Sequence, residues 1–406
     1  MIMAITGVDM QLKVKKQSAL GTIASGGSGQ LLRRVQSTLN LKKDTYQSNE
    51  IRSDYQVQDF RHGPRKVEGS ISGEISAGTY SLLIQSAMRR DFAAVTAITG
   101  LSVTIAGSGP TYTITRASGD FLAGNIKAGH VVRLTVGTLN AANINKNLLV
   151  ISVTATVLTV VVLNGVAMVA EGPIASTTVT VQGKVTFCPQ TAHTNDFYTF
   201  EHWYPTLSPT ASESYWDCKV GGFNISLPPT NIATIEFPIM GLDMLPATSE
   251  ALTSPTAATS TGVLAAVNGV LRNAAGAIAN VTGLTINVTN NNSMAGPVVG
   301  LNKYVDIVNG RHMVTGQLTA IFDSVTLRDA FINETELALY AAFTADNTAT
   351  ASFIAITIDR LKLGAADRDD SEGVKTVTLP FTALLNSPGT TSTDVTTLRV
   401  QDSAAP

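Results

Sequence analysis

From Val67 to Ser76 apolar and polar positions alternate strictly. Val67, Gly69, Ile71, Gly73 and Ile75 fall on one side, Glu68, Ser70, Ser72, Glu74 and Ser76 on the other. A period of two predicts a strand with one packed and one wetted face. The period then changes: after Gly78-Thr79, Tyr80, Leu83, Ile84, Ala87 and Met88 recur at helical spacing, and Arg89-Arg90 suit the negative end of a helix. A looser copy of this unit runs from Met313 to Leu337. There Val314, Gly316, Leu318, Ala320 and Phe322 oppose Thr315, Gln317 and Thr319, and Ser324 is placed to cap a helix carrying Val325, Leu327, Ala330 and Phe331. Both strands carry glycine on the apolar side, which predicts a close approach by another backbone or a bulky ring.

The pattern elsewhere is also that of strands. Residues 94–183 form a nearly uncharged, β-branched block punctuated by Gly100, Gly107, Gly109, Gly124, Gly129, Gly137, Asn164-Gly165 and Gly172-Pro173, which predicts a small inserted barrel or sandwich. Within it, 147–170 is uncharged enough to suggest a membrane span. The alternation of Thr154, Thr156 and Thr159 and the break at Asn164-Gly165 predict a β-hairpin instead. Strands are expected again at 184–188, 198–204, 220–227, 232–240, 284–289, 351–363, 374–383 and 396–400, with 246–262 having the composition of a linker. The two flanks of the insert therefore read as one discontinuous domain, 1–93 plus 184–406, with 94–183 as a small outer domain.

Composition supports a mainly β chain: charged residues are sparse and turn signals interrupt most apolar runs. A net charge of −2 argues against a surface built to hold nucleic acid. The charge is unevenly placed. Residues 1–90 hold 13 basic and 7 acidic side chains and the remainder 15 and 23, or +6 against −8, which fits head-to-tail self-association. The basic share is concentrated in 41–66, a polar stretch too long and too charged for an ordinary loop.

Candidate chemistry is thin. Gly21–Ser28 has the glycine spacing of a phosphate loop, but Gly27 stands where the lysine is needed, so a flexible turn is expected. Cys188 and Cys218 have no metal-binding spacing and are expected to be reduced thiols, and the five histidines show no metal signature. Trp203, Tyr204, Tyr215 and Trp216 cluster in an aromatic-poor chain, as core rings or as sugar-stacking platforms. Glu68 and Glu74 lie about 20 Å apart along one strand, too far for a glycosidase pair. The opening MIMAITGVDMQLKVKK lacks the features of a secretory signal.

The run from Asn49 to Ser76, in which Glu50, Arg52, Asp54, Asp59, Arg61 and Gly63 lead into Val67-Glu68-Gly69 and Glu74-Ile75-Ser76, resembles the tail tube (major tail) protein of long-tailed bacteriophages. Leu284–Asn291, followed by Met313-Val314-Thr315-Gly316 and the short helix, is similar to that family's second half; the match covers about half the chain. The resemblance implies a tail-tube-type β-sandwich or barrel with one or two short helices and a long extended arm. It implies homohexameric rings stacked into a tube for DNA, assembled in the host bacterial cytoplasm and joined in the virion to tail completion, tape measure and baseplate or tip proteins. Neither a catalytic residue nor a metal or cofactor is implied, and no membrane partner.

On this reading Glu68, Ser70, Ser72 and Glu74 face the channel, where an acidic wall repels phosphate and lets DNA slide. The segment 41–66 is the inter-subunit arm, with Lys42, Lys43, Arg52, Tyr55, Phe60, Arg61, Arg65 and Lys66 as contacts. Asp367, Asp369, Asp370 and Glu372 form the acidic surface that receives it. The alternative is a β-rich carbohydrate-binding adhesin or other virion surface protein, with a hydrolase on a β scaffold a distant third.

Overall fold

The computed structural model describes residues 6–163, 166–265, 269–273, 276–277, 280–323, 325–369, 372–387 and 390–406. The protein is mainly β, 48 % strand and 4 % helix. Its central feature is a run of six antiparallel strands in the spatial order Phe60–Glu74, Thr234–Gly241, Gly222–Leu227, Val281–Thr289, Met313–Ile321 and Thr376–Ala383. Each alternates apolar and polar residues, the first of them from Val67 onward, so every second side chain goes inward. Phe223, Ile225, Ile235, Phe237, Ile286 and Val314 meet Ile84 of helix α1 (Ser81–Met88), together with Phe343, Ile354, Ile356 and Val400 from Leu337–Thr344, Phe353–Leu363 and Arg399–Asp402. A second set of strands, Gln11–Lys16, Tyr198–Tyr204, Ala211–Val220 and Asp243–Ala247, joins the first where Lys219 and Val220 pair with Met240 and Ile239.

The glycines behave as the pattern predicts. A Cβ at Gly69 would meet the Thr38 carbonyl at 2.4 Å, and one at Gly316 would meet the Phe381 ring at 2.3 Å. α1 begins at Ser81, later than Gly78-Thr79, because the Asp402 carboxylate accepts the Gly78 N–H at 2.9 Å and the Ser81 hydroxyl at 2.7 Å and holds the entry turn. It ends at Arg89 in the left-handed conformation. Helix α2 (Thr326–Ile332) follows the second strand, and Ser324, its expected cap, lies outside the described residues. Ser76 does not reach the wetted face: it is buried, bonded to Arg33 and Thr79.

Two low-complexity stretches are ordered against each other. The 246–262 stretch is no spacer. Glu201, fully buried, accepts the Ala251 and Leu252 N–H groups at 2.7 and 2.9 Å, Leu252 is buried, and Thr261 donates to the Ala77 carbonyl. The expected flexible glycine turn lies along it, with Gly26 N–H on Ala251 O and Thr256 N–H on Gly29 O. Backbone groups with no sheet partner are satisfied here by a strap and a buried carboxylate.

Strands Val157–Val162, Thr111–Arg116, Ile98–Ala106, Glu171–Val181, Val131–Thr135 and Leu148–Val153 close a separate barrel with its own core around Val103, Ile114, Phe121, Val132 and Val160. The expected hairpin is present but turns at Thr154–Val157; Asn164-Gly165 lies outside the described residues. The barrel is joined to the body by an apolar seam, with Ala128, Val131, Leu149 and Ile151 against Tyr340, Ala342, Phe353 and Ala355. Gln401 spans the seam, accepting the Val131 N–H and donating to the Val131 and Gln182 carbonyls at 2.7–2.9 Å.

Candidate channel face and inter-subunit arm

The wetted face of the six strands is continuous, and its registers bring distant residues side by side. One row reads Ser72, Glu236, Asn224, Asn287, Thr315, Thr382; the next reads Glu74, Thr234, Ser226, Thr285, Gln317, Pro380. Hydroxyl and amide side chains dominate both rows, and the two charges, Glu74 and Glu236, are acidic. Ser70 extends the face beside Pro238, and Glu68 beside Met240. So Glu68, Ser70, Ser72 and Glu74 do share one face, although Glu68 is not a free acid. Lys66 at 2.9 Å and Lys42 at 3.1 Å flank it, and the hydrogen bond from Lys66, followed by that from Lys42, holds its carboxyl below the ordinary value against a burial penalty. Glu236, Asn224 and Asn287 escaped the sequence reading, although alternation in 234–240 and LTINVTNN was the available signal, whereas Gln317 lies on the polar side expected of its strand.

The long strand continues past this face. Its residues 60–68 pair with Asn40–Gln47, and the part before Val67 leaves the sheet as a two-stranded hairpin by roughly 20 Å at the usual strand rise, carrying the exposed 48–59 loop at its end. Ile51, Tyr55, Val57, Tyr46 and Phe60 are all exposed on it. The arm's cations are largely matched within the chain: Arg52 to Asp54 and Arg65 to Asp243, both at 2.8 Å, Arg61 to Asp59 at 2.9 Å, and Lys42 and Lys66 to Glu68. Lys43, paired by register with Arg65, has no acid partner among the described residues. At the arm's base the 297–308 loop packs alongside, through Arg65 N–H on Asn302 O and Tyr304 on Asp44, and exposes Val298, Val299 and Leu301.

Asp367 and Arg368 pair with Thr378 and Val377, which places the acidic turn beyond the Glu74 row, at the end of the sheet opposite the arm. Asp367, Asp369 and Glu372 are exposed; Asp370 lies outside the described residues. Structure therefore separates the two charged segments to opposite ends of one sheet.

Other candidate chemistry resolves into packing. Tyr215 is in the core, while Trp203 and Trp216 are half-buried beneath Lys13 and Lys303, with ammonium-to-ring distances of 5.6 and 4.2 Å, so neither indole is an open platform. The fold does bring a hydroxyl, an imidazole and a carboxylate together: Ser37 Oγ lies 2.8 Å from His202 Nε2, and Glu213 lies 3.7 Å from Nδ1. Glu213 accepts the Tyr215 and Tyr204 hydroxyls, at 2.9 and 3.4 Å, and its spacing from the imidazole exceeds a hydrogen bond. This array ties the Gln36–Ser37 edge strand to the sheet beneath it. Among the described residues no group of three His, Cys, Asp or Glu side chains is placed to hold a metal, and no helix is long and apolar enough to cross a membrane. Cys188 and Cys218 are free thiols, the second buried.

No curated protein compared with the chain matches it. A family model described as phage tail tube protein matches residues 7–383, nearly the whole chain, and with the β-rich fold it shows that the chain belongs to the phage tail tube protein family.

Proposed function

We propose that this structural tail tube protein assembles into stacked homohexameric rings whose hollow centre carries DNA into the host during ejection. The observation that carries this reading is the six-stranded wetted face. Serine, threonine, asparagine and glutamine offer phosphate no fixed cation, and the sparse acids repel it, so DNA meets a surface that displaces none of its counterions. Weak attraction is what passage requires. Placing Glu68, Ser70, Ser72 and Glu74 on the channel wall belongs to this proposal, as does assignment of 41–66 to inter-subunit contact.

The opposition of arm and acidic turn supports head-to-tail stacking, since a heterologous contact that does not close on itself propagates as a filament. Internal pairing of the arm's cations shifts the expected source of affinity toward its exposed apolar residues and backbone. The barrel, on the far side of the apolar seam, is assigned to the tube's exterior. Tail completion, tape measure and baseplate or tip proteins are the expected partners at the tube's ends, and assembly is expected in the host cytoplasm. Negative-stain electron microscopy of the purified protein tests the whole reading. Hollow rods with six-fold end views are expected; solid fibres or persistent monomers across protein concentrations would overturn it.

A further inference from the structure

We infer that the junction between barrel and body contains a binding site for a small oxyanion, a solute bearing a phosphate or carboxylate group. A cavity of about 330 Å³ opens where residues 90–96 cross into the barrel, lined by Arg90, Thr96, Asn125, Lys127, His130 and Asp394, with Val185 and Phe187 on its apolar wall. Pockets at the meeting of two units, with a few convergent polar groups on apolar walls, are where small ligands are ordinarily held.

His130 supplies the second observation. It is 1 % exposed, and its Nδ1 accepts the Lys127 N–H at 3.1 Å, which puts the ring proton on Nε2. That Nε2 is buried with no hydrogen-bond partner among the described residues. Burial, then the nearby charges of Arg399 and Lys127, hold the imidazole well below its ordinary value, so it stays a neutral single donor. A buried donor without an acceptor is unfavourable, and an oxyanion admitted to the ring by a small shift of the cavity wall would satisfy it.

The charge balance selects an anion. Arg399, itself buried, pairs through Nη1 with Asp394 and donates through Nη2 to the Ala128 carbonyl, and its Nε has no partner among the described residues. Asp394 is thereby neutralised. Arg90 and Lys127 remain as lining cations, the first held with its guanidinium 3.8 Å over the Phe187 ring. Asp359 interacts with Arg399 and Lys127 but does not line the cavity. This site stands on its own geometry and does not depend on ring assembly.

Thermal unfolding of the full chain at pH 7.5 tests it, with inorganic phosphate or citrate compared against chloride at equal ionic strength. Either oxyanion at 100 times its dissociation constant should raise the midpoint by about 3 °C. The shift should vanish in Lys127→Gln, a lining residue at a partly exposed position, and calorimetric titration should give one site per chain. An equal shift in wild type and Lys127→Gln, or no shift beyond chloride with either anion, would overturn the proposal. His130→Phe, which removes the donor, should also reduce the shift, and an undiminished shift in the folded variant would overturn the proposal; if it fails to fold, the Lys127 comparison decides alone.

Discussion

The Tyr80 hydroxyl fills the space beside Gly73: a Cβ at that glycine would lie 1.7 Å from the phenol oxygen, which donates to the Arg33 carbonyl at 2.8 Å. Replacing Gly73 with alanine must push the ring away and deprive the part-buried Arg33 carbonyl of its donor. Strain and lost bond together are expected to cost about 2–4 kcal/mol. Urea unfolding of the unassembled chain measures this, and a change under 0.5 kcal/mol would show that the ring has room to move.

The two face acids without lysine partners give the sharpest test of the channel. Glu74→Lys with Glu236→Lys should leave tubes intact and slow DNA ejection, because each contacted phosphate then releases counterions and binds. Ejection at the wild-type rate from mutant tubes would move this face off the channel. Reversing Glu68 should instead disturb the arm base, where Lys42 and Lys66 converge on it.

For the arm, Ile51→Ser, Tyr55→Ser and Val57→Ser combined should abolish long tubes while leaving the monomer's unfolding midpoint unchanged, since all three side chains are exposed in the chain itself. Raising salt to 0.5 M should matter less than this substitution, because most of the arm's cations already have acids beside them. Length distributions by electron microscopy decide. Full-length tubes from the triple variant would remove the arm from stacking.

Excising 94–183 with a short Gly/Ser bridge uncovers Tyr340, Ala342, Phe353 and Ala355. The shortened chain is expected to aggregate, and polar substitutions at Tyr340 and Ala342 should restore solubility with tube formation retained, as an exterior barrel requires. A soluble rescued chain that never assembles would make the barrel part of the assembly interface.

His312 sets an acid limit. Its Nδ1 bonds Asn290 and its Nε2 is buried without a partner among the described residues; burial, then Arg89 and His193, push its pKa from 6.5 to about 4. Between those values the unfolded chain binds a proton that the folded chain refuses, so stability falls as pH drops from 6.5 toward 4, by about 3 kcal/mol in full. His312→Gln should lose that much less between pH 7 and pH 4. Parallel losses in urea titrations at the two pH values would assign the sensitivity elsewhere.

The two-faced strands and their glycines were legible because both are written in local alternation, and the register of one strand needs no knowledge of its neighbour. Neighbours were not legible. Nothing near Ser72 signals Glu236, which the sheet brings beside it, and nothing near Arg65 signals Asp243. Composition misled at 246–262, where small polar residues suggest a free tether, because the carboxylate that anchors them comes from Glu201 in a different strand. Charge counting likewise overstated the arm, since it cannot distinguish a cation awaiting a partner from one already holding Asp54 or Asp59.

The Arg399–Asp402 strand reaches three parts of the molecule at once: Asp402 holds the entry to α1, Gln401 bridges to the barrel, and Arg399 fastens the 128 turn. These partners are made by the ribosome some 220 to 320 residues earlier. Helix, barrel and sheet must therefore wait for the last stretch of synthesis before locking together, as expected for a topology dominated by long-range pairing. A chain cut short before Arg399 would carry every strand of the wetted face and still lack the clasp, and under the proposed assembly such unfinished copies are expected to be left out of a growing tube.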